Sequence, residues 1–122
     1  QAAHPARHGA IYFGSTAPSM AEAITQLDAN GMHIDALRVR GYPFADSVRA
    51  FIDAHEQVFV VEQNRDGQLR SLLIEQFEID PTRLIPILHY DGTPITARFI
   101  GRAIGERIRS AEVRPLRSDK VA

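Results

Sequence analysis

The sequence contains no cysteine, and this absence excludes several kinds of chemistry. Without thiols the chain makes no disulfide, no thiolate metal site, no protein-held iron–sulfur cluster and no cysteine nucleophile. The absence also fits a reducing compartment, so a cytoplasmic location is expected. None of the five histidines stands in a ligand pattern such as HExxH, and the sequence therefore predicts no metal in this chain.

The sequence also lacks an excess of charge of one sign. Fourteen Lys and Arg residues nearly balance fifteen Asp and Glu residues, and the formal net charge is −1. Nucleic acid is not an expected partner, because binding it requires a basic surface that neutralises phosphates. The arginines of the pairs 38/40 and 107/109 are expected on solvated faces or in salt bridges.

Long apolar runs are missing as well. No stretch approaches the roughly 20 residues of a membrane span, and the beginning of the chain has no signal-peptide pattern, so no membrane partner is expected. The composition is that of a globular protein, with 44% hydrophobic residues, and a length of 122 residues predicts one domain. Because the sequence begins with Gln1 rather than methionine, we expect a chain that was processed, trimmed or excised from something larger.

Apolar runs and helical periodicities alternate four times along the chain. The apolar runs predict strands at residues 9–13, 32–39, 57–62 and 84–88. Strands joined by helices pair in parallel with right-handed crossovers, which predicts an α/β fold, a three-layer α/β/α sandwich with a mostly parallel sheet. Consecutive apolar residues at 58–61 predict a central strand, whereas Pro86 places the fourth strand near an edge.

This periodicity also divides the chain. Residues 9–109 form the predicted globular domain. Residues 1–8 form an N-terminal arm, and residues 110–122, which lose the periodicity, form a loose C-terminal tail.

Polar residues that follow the first predicted strand are candidates for a site, since ligands bind at the carboxyl ends of parallel strands. Gly14, Ser15 and Thr16 precede a helix N-terminus, whose backbone amides can hold an anion. A tight turn with a helix cap from Thr16 or Ser19 is the favoured alternative.

A second candidate follows the fourth predicted strand. His89 and Asp91 share one face if the strand continues, which suggests a His–Asp pair for base catalysis. No GxSxG nucleophile accompanies them, so a strand end followed by an Asp-Gly turn is the favoured interpretation. Thr93 followed by Pro94 predicts the start of the last helix.

The most unusual stretch is the polar loop after the third predicted strand. It consists of Glu62, Gln63, Asn64, Arg65, Asp66, Gly67 and Gln68. A ligand contact or a subunit interface would use this mixture of carboxylates, amides and arginine, because buried polar groups must pair. A capped turn, with Asp66 complementing the dipole of the next helix, is equally supported.

Four segments of the chain carry a family resemblance. They are YFGST at 12–16, LRVRGYPF at 37–44, VVEQNRDGQLRSL at 60–72 and LHYDGTPITA at 88–97. In order and spacing these segments resemble the alpha subunit of 2-oxoacid:ferredoxin oxidoreductases, the 2-oxoglutarate type in particular. The resemblance covers residues 9–104 and corresponds to the C-terminal domain of that subunit, which is similar to the transketolase C-terminal domain.

The resemblance implies a parent complex that oxidatively decarboxylates a 2-oxoacid to an acyl-CoA and passes the electrons to ferredoxin. The implied cofactors are thiamine diphosphate, magnesium and an iron–sulfur cluster on the partner subunit, and none of them is bound by this chain. The Gly-Asp-Gly motif with a downstream Asn pair is absent, and Asp66-Gly67 does not replace it because no Asn-Asn follows. No catalytic residue is therefore carried over, and the isolated chain is expected to be inactive.

The resemblance also implies partners and a sheet. The expected partners are the beta subunit and the remaining alpha-subunit domains, with ferredoxin, coenzyme A and the 2-oxoacid reached through the parent complex. The loop 62–68 becomes the best candidate for an interface or a site-supporting loop. The implied sheet is mixed and has five strands, the first antiparallel, with residues 1–8 as a remnant of that strand.

Two further hypotheses belong to other classes of protein. The first is a free-standing α/β module that binds a small anionic ligand at the carboxyl-end loops. The second is a small independent enzyme that uses His89 and Asp91.

Overall fold

The computed structural model describes residues 7–121, with side chains at 7–14 and 16–110. The strands are β1 (His8–Phe13), β2 (Ile34–Val39), β3 (Gln57–Glu62) and β4 (Leu84–Leu88). The helices are α1 (Ala17–Ala29), α2 (Asp46–Asp53), α3 (Gln68–Phe77) and α4 (Ala97–Val121), and short 3₁₀ turns lie at Gly14–Thr16 and Pro81–Arg83. The predicted alternation of strand and helix is confirmed.

The strands form one parallel sheet in the order β2-β1-β3-β4. As predicted, β3 is an interior strand, and β4 lies at an edge, where the exposed Pro86 is tolerated. The implied antiparallel fifth strand is not among the described residues. Residues 1–6, which include most of the expected remnant, lie outside the described part of the chain.

Helices cover both faces of the sheet, which confirms the three-layer sandwich. On one face α1 and α4 pack against side chains such as Phe59 and Val61, and on the other α2 and α3 pack against Val58 and Val60. These four consecutive residues of β3 therefore alternate between two apolar cores, which is why the run contains no polar position.

The last helix differs from its prediction at both ends. It begins at Ala97, where the Thr96 hydroxyl accepts a hydrogen bond from the Phe99 N–H at 3.1 Å. It does not begin at Thr93, because the Thr93 hydroxyl donates a hydrogen bond to the Asp91 carboxylate instead. It continues to Val121 through the segment expected to be loose. Neither this helix nor any other in residues 7–121 is long and apolar enough to cross a membrane.

Candidate functional site

The loops after β1 and β3 meet at the carboxyl edge of the sheet. The strand order reverses between these two neighbouring strands, and such a reversal creates a crevice where α/β proteins bind ligands. The side-chain amide of Gln63 lies 3.4 Å from the Thr16 hydroxyl and joins the two loops. The His89 N–H donates to the Glu62 carbonyl at 3.0 Å, so the loop after β4 joins the same edge. The structure thus brings the three predicted groups together.

The first of these groups forms a 3₁₀ turn that runs directly into α1. The predicted side-chain cap is wrong for both hydroxyls. Thr16 stands at the cap position but makes no capping bond and is buried against Gln63, while the Ser19 hydroxyl donates to the Ile95 carbonyl at 3.0 Å. Arg38 lies over Gly14, where an added Cβ would be 3.0 Å from its Nε. Arg38 is exposed, which fits the expected solvated face, but its contact with Gly14 was not predicted because that contact depends on strand pairing.

The polar loop is organised first by Glu62, the last residue of β3. Its carboxylate is buried, with the residue 3% exposed. One carboxylate oxygen accepts from the Asn64 side-chain amide at 2.9 Å and from the Leu69 N–H at 2.8 Å, and the other accepts from the Arg70 N–H at 3.0 Å. The negative charge lies at the N-terminal end of α3, where unpaired N–H groups and the helix dipole favour an anion.

Asn64 organises the rest of the loop. Its side-chain oxygen accepts from the backbone N–H groups of Asp66 at 3.1 Å, Gly67 at 2.8 Å and Gln68 at 3.4 Å. Gly67 has φ 63°, a left-handed conformation that glycine adopts readily. A capped turn is therefore present, and Glu62 and Asn64 make its capping bonds, while the interaction of Asp66 with the helix dipole stays a prediction.

The remaining side chains of the loop lie on the surface. The exposed ones are those of Gln63, Arg65, Asp66 and Gln68. The Arg65 and Asp66 side chains are 78% and 72% exposed, with 3.9 Å between their charged groups. These side chains are accessible to a partner, so an interface role remains a prediction for this half of the loop.

The His–Asp pair exists, but its geometry is that of a turn. His89 Nε2 lies 3.2 Å from the Asp91 carboxylate, and the same nitrogen lies 3.1 Å from the Thr93 carbonyl. A catalytic relay needs the carboxylate on one ring nitrogen and the nucleophile on the other. Hydrogen bonds from the Thr93 hydroxyl, and then from its N–H, lower the pKa of Asp91, so this carboxylate is occupied in holding the turn.

The residues of this edge do not fit thiamine diphosphate and magnesium. In the part of the chain that the structure describes, no three His, Asp or Glu side chains are grouped to hold a metal ion. The Glu62 carboxylate and the Asn64 amide are already engaged at α3, and Asp66 is exposed beside Arg65. The absence of metal from this chain stays a prediction.

Three exposed aromatic side chains mark the same edge. Phe13, Tyr42 and Tyr90 are the large hydrophobic residues that the described part of the chain exposes, at 37%, 53% and 60%. Phe13 ends β1, Tyr42 follows β2 and Tyr90 follows β4. Sequence reasoning missed this group, although the position of each residue at the end of a strand was the available signal.

The fold and this edge define an α/β domain with exposed polar and aromatic side chains at the carboxyl end of its parallel sheet. Among solved structures the chain is similar to 2-oxoglutarate:ferredoxin oxidoreductase from Magnetococcus marinus, whose structure contains 2-oxoglutarate, coenzyme A and succinyl-CoA. The TM-score is 0.78, the identity is 28%, and the match covers 88% of this chain and 19% of that one. The resemblance seen in the four segments is confirmed, and the match is consistent with a C-terminal domain. No protein-family model and no curated protein matches the chain.

Proposed function

We propose that this chain is the C-terminal domain of the alpha subunit of a 2-oxoacid:ferredoxin oxidoreductase, with 2-oxoglutarate as the expected substrate. The observation that carries the proposal is the structural match, which covers 88% of this chain but only 19% of the oxidoreductase chain. In the parent complex, a 2-oxoacid is oxidatively decarboxylated to an acyl-CoA with thiamine diphosphate, and ferredoxin receives the electrons. This domain supplies packing surface and no catalytic group, so the isolated chain is inactive.

The carboxyl edge of the sheet is the surface proposed to pack against the other alpha-subunit domains or the beta subunit. Tyr42 and Tyr90 combine an apolar ring with a polar tip, a composition enriched at protein interfaces. The exposed half of the loop 62–68 lies between them in the strand order and adds polar groups of both signs. Glu62 and Asn64 support this surface indirectly by fixing the loop on α3.

An antibody against this domain tests the proposal in cytoplasmic extract, the expected compartment. The expected result is a band several times heavier than 13.6 kDa, whose depletion removes the reduction of ferredoxin that depends on 2-oxoglutarate and coenzyme A. Depletion with a pre-immune antibody is the control. A band at 13.6 kDa that leaves this activity in the extract would overturn the proposal and favour a free-standing module.

A further inference from the structure

A cleft lies between α1 and α4, on the face of the sheet away from α2 and α3. The helices run in the same direction: Ser19 contacts Ile95 at their beginnings, and Gln26 lies beside Gly101 further along. The cleft has a volume of about 300 Å³. It is lined by Gln26, Leu27, Asn30, Met32, Arg98, Gly101, Arg102 and Arg109.

The three arginines of this cleft form one stripe along α4. At about 100° per residue, Arg98, Arg102 and Arg109 fall within roughly 40° of one another around the helix axis. Glycine at position 105 lets the Arg109 guanidinium lie close to the helix, 3.5 Å from where a Cβ would stand. By the same arithmetic Arg107 lies about 180° from Arg98, on the opposite side of the helix.

Among the described residues no acidic side chain forms an ion pair with these three arginines, although Glu106 lies four residues after Arg102 and three before Arg109 on α4. Next to the cleft, the last carbonyls of α1 are taken by its own C-terminus: the Met32 N–H donates to the Leu27 carbonyl at 2.9 Å, and the Asn30 amide donates to the Gln26 carbonyl at 3.0 Å. Within residues 7–110, the arginines that form ion pairs with acidic side chains lie outside the cleft, as Arg7 does with Glu56. Of the two environments expected for Arg109, a solvated face or a salt bridge, the described residues show the solvated face.

We propose that the α1–α4 cleft binds a small phosphate-bearing anion. Guanidinium groups bind phosphate oxygens through paired N–H donors, and an anion in the cleft would offset the repulsion between Arg98 and Arg102, which lie one helical turn apart. Gln26 and Asn30 line the same space, but their side-chain amides already donate to the Glu22 carboxylate at 3.4 Å and to the Gln26 carbonyl at 3.0 Å, so the arginines supply the charge for an anion. A volume of about 300 Å³ suits a phosphate or diphosphate group and its immediate attachment, which favours a small ligand over the surface of a folded partner.

Calorimetric titration of the 122-residue chain with pyrophosphate, at constant ionic strength set with sodium chloride, tests this inference. Saturable binding to the wild type is expected, with about tenfold weaker binding after Arg102→Gln, because the variant loses the charge-assisted hydrogen bonds of one guanidinium group. Arg107→Gln is the matched control and should bind as the wild type does. Citrate in place of pyrophosphate tests the class of anion, and weaker binding of citrate is expected.

Absence of saturable binding, or an equal loss in Arg102→Gln and Arg107→Gln, would overturn the phosphate site. Citrate binding as tight as that of pyrophosphate would overturn the assignment to phosphate. Arg98→Gln provides a second variant with the same expected loss, and circular dichroism of each variant verifies its fold. The measurement uses this chain alone, so its failure leaves the proposed role in the oxidoreductase untouched.

Discussion

At the residue scale, Gly9 shows how a missing side chain positions a helix on the sheet. A Cβ at this position would lie 2.8 Å from the Phe51 ring and 3.2 Å from the His55 ring. The histidine ring is held in place, because its nitrogens contact the Phe51 carbonyl at 2.7 Å and the Asp35 carboxylate at 2.8 Å. The His55 ring cannot retreat without breaking these buried contacts, so the strand approaches it without a side chain.

Gly9→Ala is expected to lower the free energy of unfolding by about 1–3 kcal/mol, the usual effect of overpacking a core. Urea denaturation followed by circular dichroism measures the change. Gly41→Ala is the matched control, because nothing lies within 4 Å of a Cβ there, and its effect should stay within about 0.5 kcal/mol. Equal effects of the two substitutions would show that contact with Phe51 and His55 does not set the requirement.

Asp91 gives a prediction about pH. The Thr93 hydroxyl, and then the Thr93 N–H, donate to the ionised carboxylate and lower the pKa of Asp91 below the usual value of about 3.9. The resulting stabilisation is full above that ordinary pKa and is lost as the pH falls through the lower pKa of the folded protein. The difference in stability between wild type and Asp91→Asn should therefore shrink below about pH 4.

A carbon-13 NMR titration of the Asp91 carboxyl carbon tests the cause. Thr93→Val removes the hydroxyl donor and should raise the pKa of Asp91 towards its ordinary value, since the hydroxyl is the largest contributor to the shift. An unchanged titration curve in this variant would assign the shift to other groups.

At the scale of elements, the start of α3 depends on a side chain from the preceding strand. Glu62 accepts from the Leu69 N–H, a buried bond that spans seven residues. Glu62→Ala leaves this donor and the Arg70 N–H without their acceptor, and a loss of about 2–3 kcal/mol in unfolding free energy is expected. Asp66→Ala is the control and should change stability by less than about 0.5 kcal/mol, because Asp66 is exposed. Similar losses in the two variants would refute the capping role of Glu62.

Local patterns predicted the elements but not the partners of individual side chains. Four consecutive apolar residues were enough to identify β3 as central, and Pro86 was enough to place β4 at an edge, because burial on both faces and a missing N–H are properties of the chain itself. The cap of α4 was assigned to Thr93, and this assignment failed because the choice between nearby polar side chains depends on which groups are already bonded. Within the loop before α3 the sequence did not single out Glu62 as the capping residue, since that role depends on where β3 ends.

The position of the candidate site could be predicted from the sequence, but the burial of its individual side chains could not. The topology rule located the residues after each strand, and the structure places those after β1, β3 and β4 at one edge. The sequence does not distinguish the buried Glu62 from the exposed Arg65, because burial depends on how the loop packs against the rest of the domain. The exposure of Tyr42 and Tyr90, and the cleft beside Arg102, depend equally on which neighbours cover them.

At the scale of the whole molecule, apolar contact and not net charge is expected to govern assembly through the carboxyl edge. The chain is nearly neutral, with a formal net charge of −1, so long-range attraction to a partner is weak. The exposed aromatic residues at that edge, Tyr42 and Tyr90 among them, can bury area when a partner covers them.

Tyr90→Ser and Arg65→Ala, introduced into the intact parent protein, are expected to weaken assembly without lowering the stability of this domain. Tyr90 is 60% exposed and the Arg65 side chain 78%, so neither contributes much to folding, whereas a buried interface tyrosine contributes about 1–2 kcal/mol, roughly tenfold in dissociation constant. Substitution of Asn64 would not separate assembly from folding, because its side-chain oxygen accepts hydrogen bonds from three backbone N–H groups at the start of α3.

Sedimentation velocity measures the assembly, ferredoxin reduction measures turnover, and urea denaturation of the 122-residue chain measures folding. Arg107→Ala, on the outer side of α4, is the control and should leave all three measurements unchanged. If Tyr90→Ser and Arg65→Ala keep the sedimentation profile and turnover of the wild type, the carboxyl edge is not the interface. Loss of assembly together with loss of folding stability would also contradict the prediction, because these exposed side chains would then be supporting the domain itself.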